Sequence, residues 1–222
     1  MTEQATLDAI LRQRDLTNPA EGQHGFQDLV SSAHGAAAEL WGCRRQLFRP
    51  APFVVRMAAD GHRRVGPRTG IAGALPGILD GLALDPPEDV LMVCPGVVAA
   101  TDEGVRRHEL ALIRVAQGAV GSADLGRMVQ TVVRALLPGG AYRLLPEDRP
   151  GLRQSMRIDA RSGRDWITLG HCGLLCPDQL ARAGLEPDTH GGLVLEMTLE
   201  RVAAVLEGSE EPESAAERRA MA

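Results

Sequence analysis

The stretch Gly191–Gly208 constrains the fold of this chain more than any other. It starts as a short apolar strand, Leu193-Val194-Leu195 continuing into Glu196-Met197-Thr198. It then runs directly into a helix whose apolar residues Val202, Val205 and Leu206 are expected to face a core. A single arginine, Arg201, stands at the join.

The rest of the chain supplies partners for that unit. Gly25 to Trp41 carries Phe26, Leu29, Val30, Ala33, Ala37 and Leu40 at helical spacing and is closed by Gly42. Arg45 to Val55 reads as one bent or edge strand, because Pro50 and Pro52 interrupt it. Residues 58–70 read as a basic, Gly- and Pro-containing loop leading to a helix through Leu75, Ile78, Leu79 and Leu82. The continuous apolar run Asp89–Val98 is a buried strand, and His108–Val115 is its antiparallel partner across a polar turn. Ser122 is the expected N-cap of a helix through Leu136. Strands are expected at Ala141–Leu145, Gln154–Ala160 and Trp166–Gly170, then a short helix at Pro177–Ala183. Hairpin returns with helices between groups of strands predict an α+β fold on a mainly antiparallel sheet flanked by helices.

A chain of 222 residues, 44% of them hydrophobic, can bury one good-sized core. One domain over residues 15–208 is expected, with an N-terminal arm over 1–14 and a Glu- and Ser-rich disordered tail over 209–222. The net charge of −5 argues against an extended basic surface, so tight tRNA binding by this chain alone is not expected. All 24 basic residues are arginine, and the lack of lysine excludes Schiff-base chemistry. The charged N-terminus lacks the apolar run of a signal peptide, and no stretch is long enough to cross a membrane, so a cytoplasmic protein is expected. Four scattered cysteines fit reduced thiols. His171, Cys172 and Cys176, with His190 or Cys94, are zinc-compatible donors at a spacing that follows no zinc pattern, and no metal site is expected.

The Gly191–Gly208 unit resembles the third signature motif of class II aminoacyl-tRNA synthetases, in the form found in the phenylalanyl-tRNA synthetase alpha-subunit core. The helix Gly25–Trp41 with the strand after it resembles the first motif, and the strand pair around residues 99–107 resembles the second. The resemblance runs from about Asp15 to Gly208 and implies a class II core. It also implies an ATP site in which Arg201 grips the nucleotide, a dimer interface at the first motif, and ATP with Mg²⁺ as cofactors if the chain is active.

Carried over residue by residue, the resemblance places Arg201, Arg106 and Arg107 at the nucleotide. It places Arg68, Thr69, His108, Glu109, Thr168 and Glu196 at the substrate pocket; no catalytic residue is assigned. The chain departs from the family's pattern at several positions. Ala100 stands at the second motif's arginine, Gly70 and Ala72 at the His and Ser that touch the amino acid, and Thr168 at a glutamate near the metal. Glu196 and Thr198 stand where the third motif has glycines. These losses imply an adenylation-deficient paralog acting as a structural or regulatory subunit of an ATP-dependent ligase assembly. It would pair with itself as a homodimer or with an intact paralog as a heterodimer. The alternatives are an active, re-specialised ligase that adenylates an amino acid or small acid outside translation, and a small-molecule binding protein.

Overall fold

The structure is a computed structural model that describes residue 8 and residues 11–57, 61–99 and 106–208; of Arg56, Ala72, Ala83 and Arg106 only the backbone is described. The expected arm lies largely, and the expected tail wholly, outside the described residues, as does Ala100.

Helix α1 (Gly25–Trp41) has the expected bounds. His24 caps its start by accepting the Phe26 amide at 3.2 Å. Gly42 ends it at φ 63°, a left-handed conformation that costs glycine little. The extended segment that follows divides in two. Arg44–Leu47 (β1) joins the edge of the main sheet, parallel to Asp89–Ala99 (β4). Phe53–Met57 (β2) instead pairs antiparallel with Arg63–Pro67 (β3) in a separate hairpin. Two short strands and a hairpin thus replace the single strand and loop expected there, because Pro50 and Pro52 have no amide to donate and the ladder cannot continue across them.

A 3-10 turn at Ile71–Ala74 leads into α2 (Leu75–Ala83). After β4 come β5 (Arg106–Gln117), α3 (Ser122–Leu136), β6 (Tyr142–Pro146), β7 (Leu152–Ser162), β8 (Asp165–Leu175), α4 (Pro177–Arg182), β9 (His190–Thr198) and α5 (Leu199–Glu207). Ser122 is the first helical residue of α3 and not its cap. Gly121 takes the cap position, and the Asp124 carboxylate accepts its amide at 2.9 Å. The main sheet has seven strands in the order β1-β4-β5-β9-β8-β7-β6, antiparallel throughout except for β1 with β4. The fold is therefore α+β, a mainly antiparallel sheet flanked by helices.

Alternation along the strands separates two apolar layers. Leu91, Val93, Leu110, Leu112, Leu195 and Met197 face α1, α3 and α5 and form the larger core. Val90, Met92, Cys94, Ile113 and Val194 face the other way, against α2 and the α4 region. Fully burying one such side chain contributes about 1.5–3 kcal/mol. In α5 the buried face is carried by Leu199, Val202 and Ala203; Leu206, expected in the core, sits in the last turn and is 39% exposed. The second layer covers only part of its face. Past Ala111 on β5 and Val194 on β9 the inward positions become Glu109, Arg107, Glu196 and Thr198, and the sheet opens into a polar cleft.

Candidate functional site

The cleft is a cavity of about 190 Å³ whose floor is the ends of three adjacent strands. β5 contributes Arg107 and Glu109, and β9 contributes Glu196 and Thr198. β8 contributes Gly170 and His171. Register sets their spacing, with Glu109 opposite Thr198, Ala111 opposite Glu196, and Glu196 opposite His171. Gly170 is required for this approach, because a Cβ there would overlap the Glu196 carbonyl oxygen. Arg201 enters from the first turn of α5, Arg149 from the β6–β7 loop, and Thr69 with Gly70 from the approach to the 3-10 turn.

Three guanidinium groups thus converge on a half-buried space, and two of them are held from within the chain. Arg149 pairs with Glu196 at 3.4 Å. Arg201 donates to the Thr168 carbonyl at 3.1 Å, and burial followed by the nearby charge of Arg107 holds its pKa below the usual arginine range. Glu109 accepts the Ile71 amide at 3.0 Å, which ties the 3-10 turn to the cleft wall. Burial and the neighbouring Glu196 push its carboxyl up to about 7, so it exchanges a proton near neutrality. His171 pairs with Glu147 at 2.5 Å. Burial and Arg149 lower its pKa despite that carboxylate.

Five of the nine residues expected at the site line this cavity: Thr69, Arg107, Glu109, Glu196 and Arg201. Arg106 begins β5, and its side chain lies outside the described residues. Arg68 turns away; its guanidinium donates to the carbonyls of Ala51 at 2.8 Å and Phe53 at 3.3 Å, pinning the start of β2. Thr168 presents its carbonyl to Arg201, while its hydroxyl donates to Asp159 at 3.0 Å. His108 faces the opposite layer, because neighbouring residues on a strand point to opposite sides. There its Nδ1 donates to Glu200 at 2.7 Å, and its Nε2 accepts the Leu16 amide at 3.1 Å. His171 and Arg149 complete the cavity. The sequence reading weighed His171 only as a zinc ligand or cysteine partner, and Arg149 carried no signal beyond its place in a loop between strands.

The thiols considered for chemistry are poorly placed for it. Burial pushes Cys94 and Cys172 up to about 12, where no thiolate forms at neutral pH. Cys172 lies in the larger core while His171 lines the cleft, so the two are on opposite sides of β8. Among the described residues no group of three or more His, Cys, Asp or Glu is arranged to hold a metal ion. Of the two carboxylates that line the cleft, Glu196 pairs with Arg149 and Glu109 accepts the Ile71 amide.

No family model matches the chain. Individual relatives do. It is 30% identical to the phenylalanine–tRNA ligase alpha subunit of Nocardia farcinica over 122 residues, which is 50% of this chain and 36% of that protein. To the same subunit of Bifidobacterium animalis subsp. lactis it is 31% identical over 120 residues, 50% of this chain and 34% of the relative. For Bacillus pumilus the match is 26% over 136 residues, 54% and 40% respectively. The relationship is to the class II synthetases. It is distant and partial, and the matched region spans little more than a third of those relatives' length. The mainly antiparallel seven-stranded sheet with flanking helices is consistent with a synthetase-like core.

Proposed function

We propose that this chain is a class II synthetase-like subunit that does not form acyl-adenylates and serves as a structural or regulatory partner in an ATP-dependent ligase assembly. The observation that carries this reading is Glu196. It is 7% exposed, stands in the middle strand of the cleft floor and reaches Arg149 across the cavity. A phosphate brought within ~4 Å of that carboxylate meets a like charge at a cost of about 4 kcal/mol for an effective dielectric of 20. Arg149 is paired with Glu196 and Arg201 donates to the Thr168 carbonyl, so part of the cleft's donor capacity is already committed within the chain.

The subunit role draws on two further observations. The relatives are named as alpha subunits, which makes a partner chain the natural expectation. Apolar side chains also stand exposed in the Arg45–Val55 segment, where the first motif's interface is expected, and further along the β2–β3 hairpin. Leu47 and Phe48 at the end of β1 are 60% and 38% exposed, and Val55, Met57 and Val65 on the β2–β3 hairpin are 56%, 67% and 47% exposed. Exposed apolar side chains of this kind support an association site. The partner is a second copy or an intact paralog. Among the described residues no helix is long and apolar enough to cross a membrane.

The test is ATP–pyrophosphate exchange by the purified chain with each of the amino acids. No exchange is expected from the chain alone. A second reading, an active re-specialised ligase with Arg107 and Arg201 as its phosphate clamp, is favoured by their shared place in one cavity with Glu109. Exchange that disappears in Arg201→Ala would establish that alternative. For the subunit role, Val55→Asp with Met57→Asp is expected to reduce the mass in solution, and an unchanged monomer before and after substitution would remove the proposed interface.

A further inference from the structure

The main sheet has two edges. β1 lies at one, and β6 (Tyr142–Pro146) lies at the other with β7 as its strand neighbour. Register decides which backbone groups of β6 stay open. The Arg161 amide donates to the Ala141 carbonyl and the Glu147 amide to the Ser155 carbonyl, so Ala141 and Glu147 turn their backbone groups toward β7. Arg143 and Leu145 do the same, because orientation alternates along an antiparallel ladder. The amides and carbonyls of Tyr142 and Leu144 therefore face outward, with no backbone partner among the described residues. Pro146, which has no amide, closes the open stretch.

One face of this edge is strongly basic. Arg143 on β6, Arg157 and Arg161 on β7 and Trp166 on β8 share the face opposite the larger core, since Ile158 and Ala160, which alternate with the β7 arginines, are buried in that core. Asp159, 2% exposed, holds Arg143 and Arg157 at 3.0 Å each. The guanidinium of Arg143 lies 4.4 Å from the centre of the Trp166 ring and that of Arg161 5.6 Å. Arg161 also donates from its Nε to the Gly163 carbonyl at 3.0 Å. One buried carboxylate thus fixes two arginines in place without neutralising the cluster, and Nη1 of both Arg143 and Arg157 makes no hydrogen bond among the described residues. The other face of β6 is apolar, with Tyr142 and Leu144 packed against the larger core.

We propose that the free edge of β6 binds an extended acidic segment of a partner protein, added to the sheet as an eighth strand. Its backbone pairs with Tyr142 and Leu144. Its carboxylates stand at alternate positions, opposite Arg143 and Ala141, where they meet Arg143 and Arg161, and its intervening apolar side chains extend the surface of Tyr142 and Leu144. The site lies on the opposite edge from β1 and is independent of the subunit role. Charge decides the occupant. Pairing β6 with a second copy about Leu144 would set Tyr142 against the amide-free Pro146 and double the arginines on one face. A single-stranded nucleic acid would need an open aromatic ring for its bases, and Trp166 is already covered by Arg143.

The experiment is fluorescence anisotropy of the full chain with labelled peptides in which glutamate alternates with valine or threonine. Binding is expected below about 1 mM, and glutamine in place of glutamate should weaken it about tenfold or more. N-methylation of the peptide amides that face β6 should abolish it, and hydrogen exchange at the Tyr142 and Leu144 amides should slow when peptide is bound. Arg161→Glu alters an exposed residue that does not hold Asp159, and its unfolding midpoint reports that it folds. It should remove most of the preference for glutamate over glutamine. No binding up to about 1 mM, or equal binding of the glutamine or N-methylated peptides, would overturn the proposal. So would an unchanged preference in Arg161→Glu, or an oligothymidylate that binds more tightly than the peptides. Exchange at Tyr142 and Leu144 that is slow without peptide and quickens on dilution would assign the edge to a second copy and overturn it too.

Discussion

His108 and Glu109 are adjacent on β5, and Glu200 and Arg201 are adjacent at the start of α5, yet each pair is split between the two faces of the sheet. On the helix-packed face His108 and Glu200 meet at 2.7 Å, bury almost completely, and satisfy each other, the His108 amide and the Leu16 amide. On the cleft face Glu109 and Arg201 stand among Arg107, Arg149 and Glu196 in a space that neither core layer fills. The same residue types thus make a closed network on one side and a polar cleft with a proton-exchanging carboxyl on the other. What separates the two outcomes is packing. α1, α3 and α5 cover the first face completely, whereas α2 and the α4 region cover only part of the second.

If this contrast holds, substitutions on the packed face cost stability and substitutions in the cleft change behaviour with pH or ligand. The largest effect is expected at Phe26, fully buried in the first turn of α1 and in ring contact with His108, where Phe26→Ala should destabilise by about 3–5 kcal/mol in denaturant unfolding. Glu200→Ala comes next at about 3 kcal/mol, because it strands the His108 Nδ1 and amide donors in a dry site. A loss below 1 kcal/mol there would mean that water already reaches the pair, and the two faces would differ less than proposed.

In the cleft the sign reverses. Glu109 has a folded pKa of about 7, above the ordinary carboxylate value, so the folded state holds its proton more tightly than the unfolded chain. Its stabilising contribution is present below the unfolded value and is lost as pH rises through about 7. Glu109→Gln should therefore match the parent at pH 4 and exceed it at pH 8, by on the order of 2 kcal/mol once solvent screening is allowed for. A difference independent of pH between those limits would show that Glu109 is not held in its proton-exchanging state. The smallest effect is expected away from both faces. Arg127→Ala breaks only the solvent-exposed pair with Asp124 on α3 and should shift stability by less than about 0.5 kcal/mol.

Much of this organisation is legible in the linear chain because it depends on local periodicity. Helix α1, the β4–β5 hairpin and the β9-to-α5 passage were all expected where they occur, since apolar spacing of 3.6 or 2 residues and Gly or Pro punctuation are short-range signals. β3 was read as part of a loop because Arg63-Arg64-Val65-Gly66-Pro67 has neither apolar alternation nor strand-like composition; it is a strand only because Phe53–Met57 lies beside it. The site divides in the same way. The resemblance points to Glu109, Glu196 and Arg201, which line the cleft, and equally to His108 and Thr168, which the faces of the sheet send to other networks.

The sequence by itself determined the class of fold, the strand-into-helix unit that carries Arg201, and the presence of Glu196 and Thr198 on the strand that floors the cleft. These follow from residue identity and near-neighbour spacing, which need no tertiary information. Only the tertiary structure decided that Arg149 and His171 join the cleft, that Arg68 holds the start of β2, and that a second cavity rich in carboxylate lies behind Glu196. Those facts depend on contacts such as Arg149 with Glu196, 47 residues apart. The order of strands brings such groups together, and no local pattern along the chain encodes it.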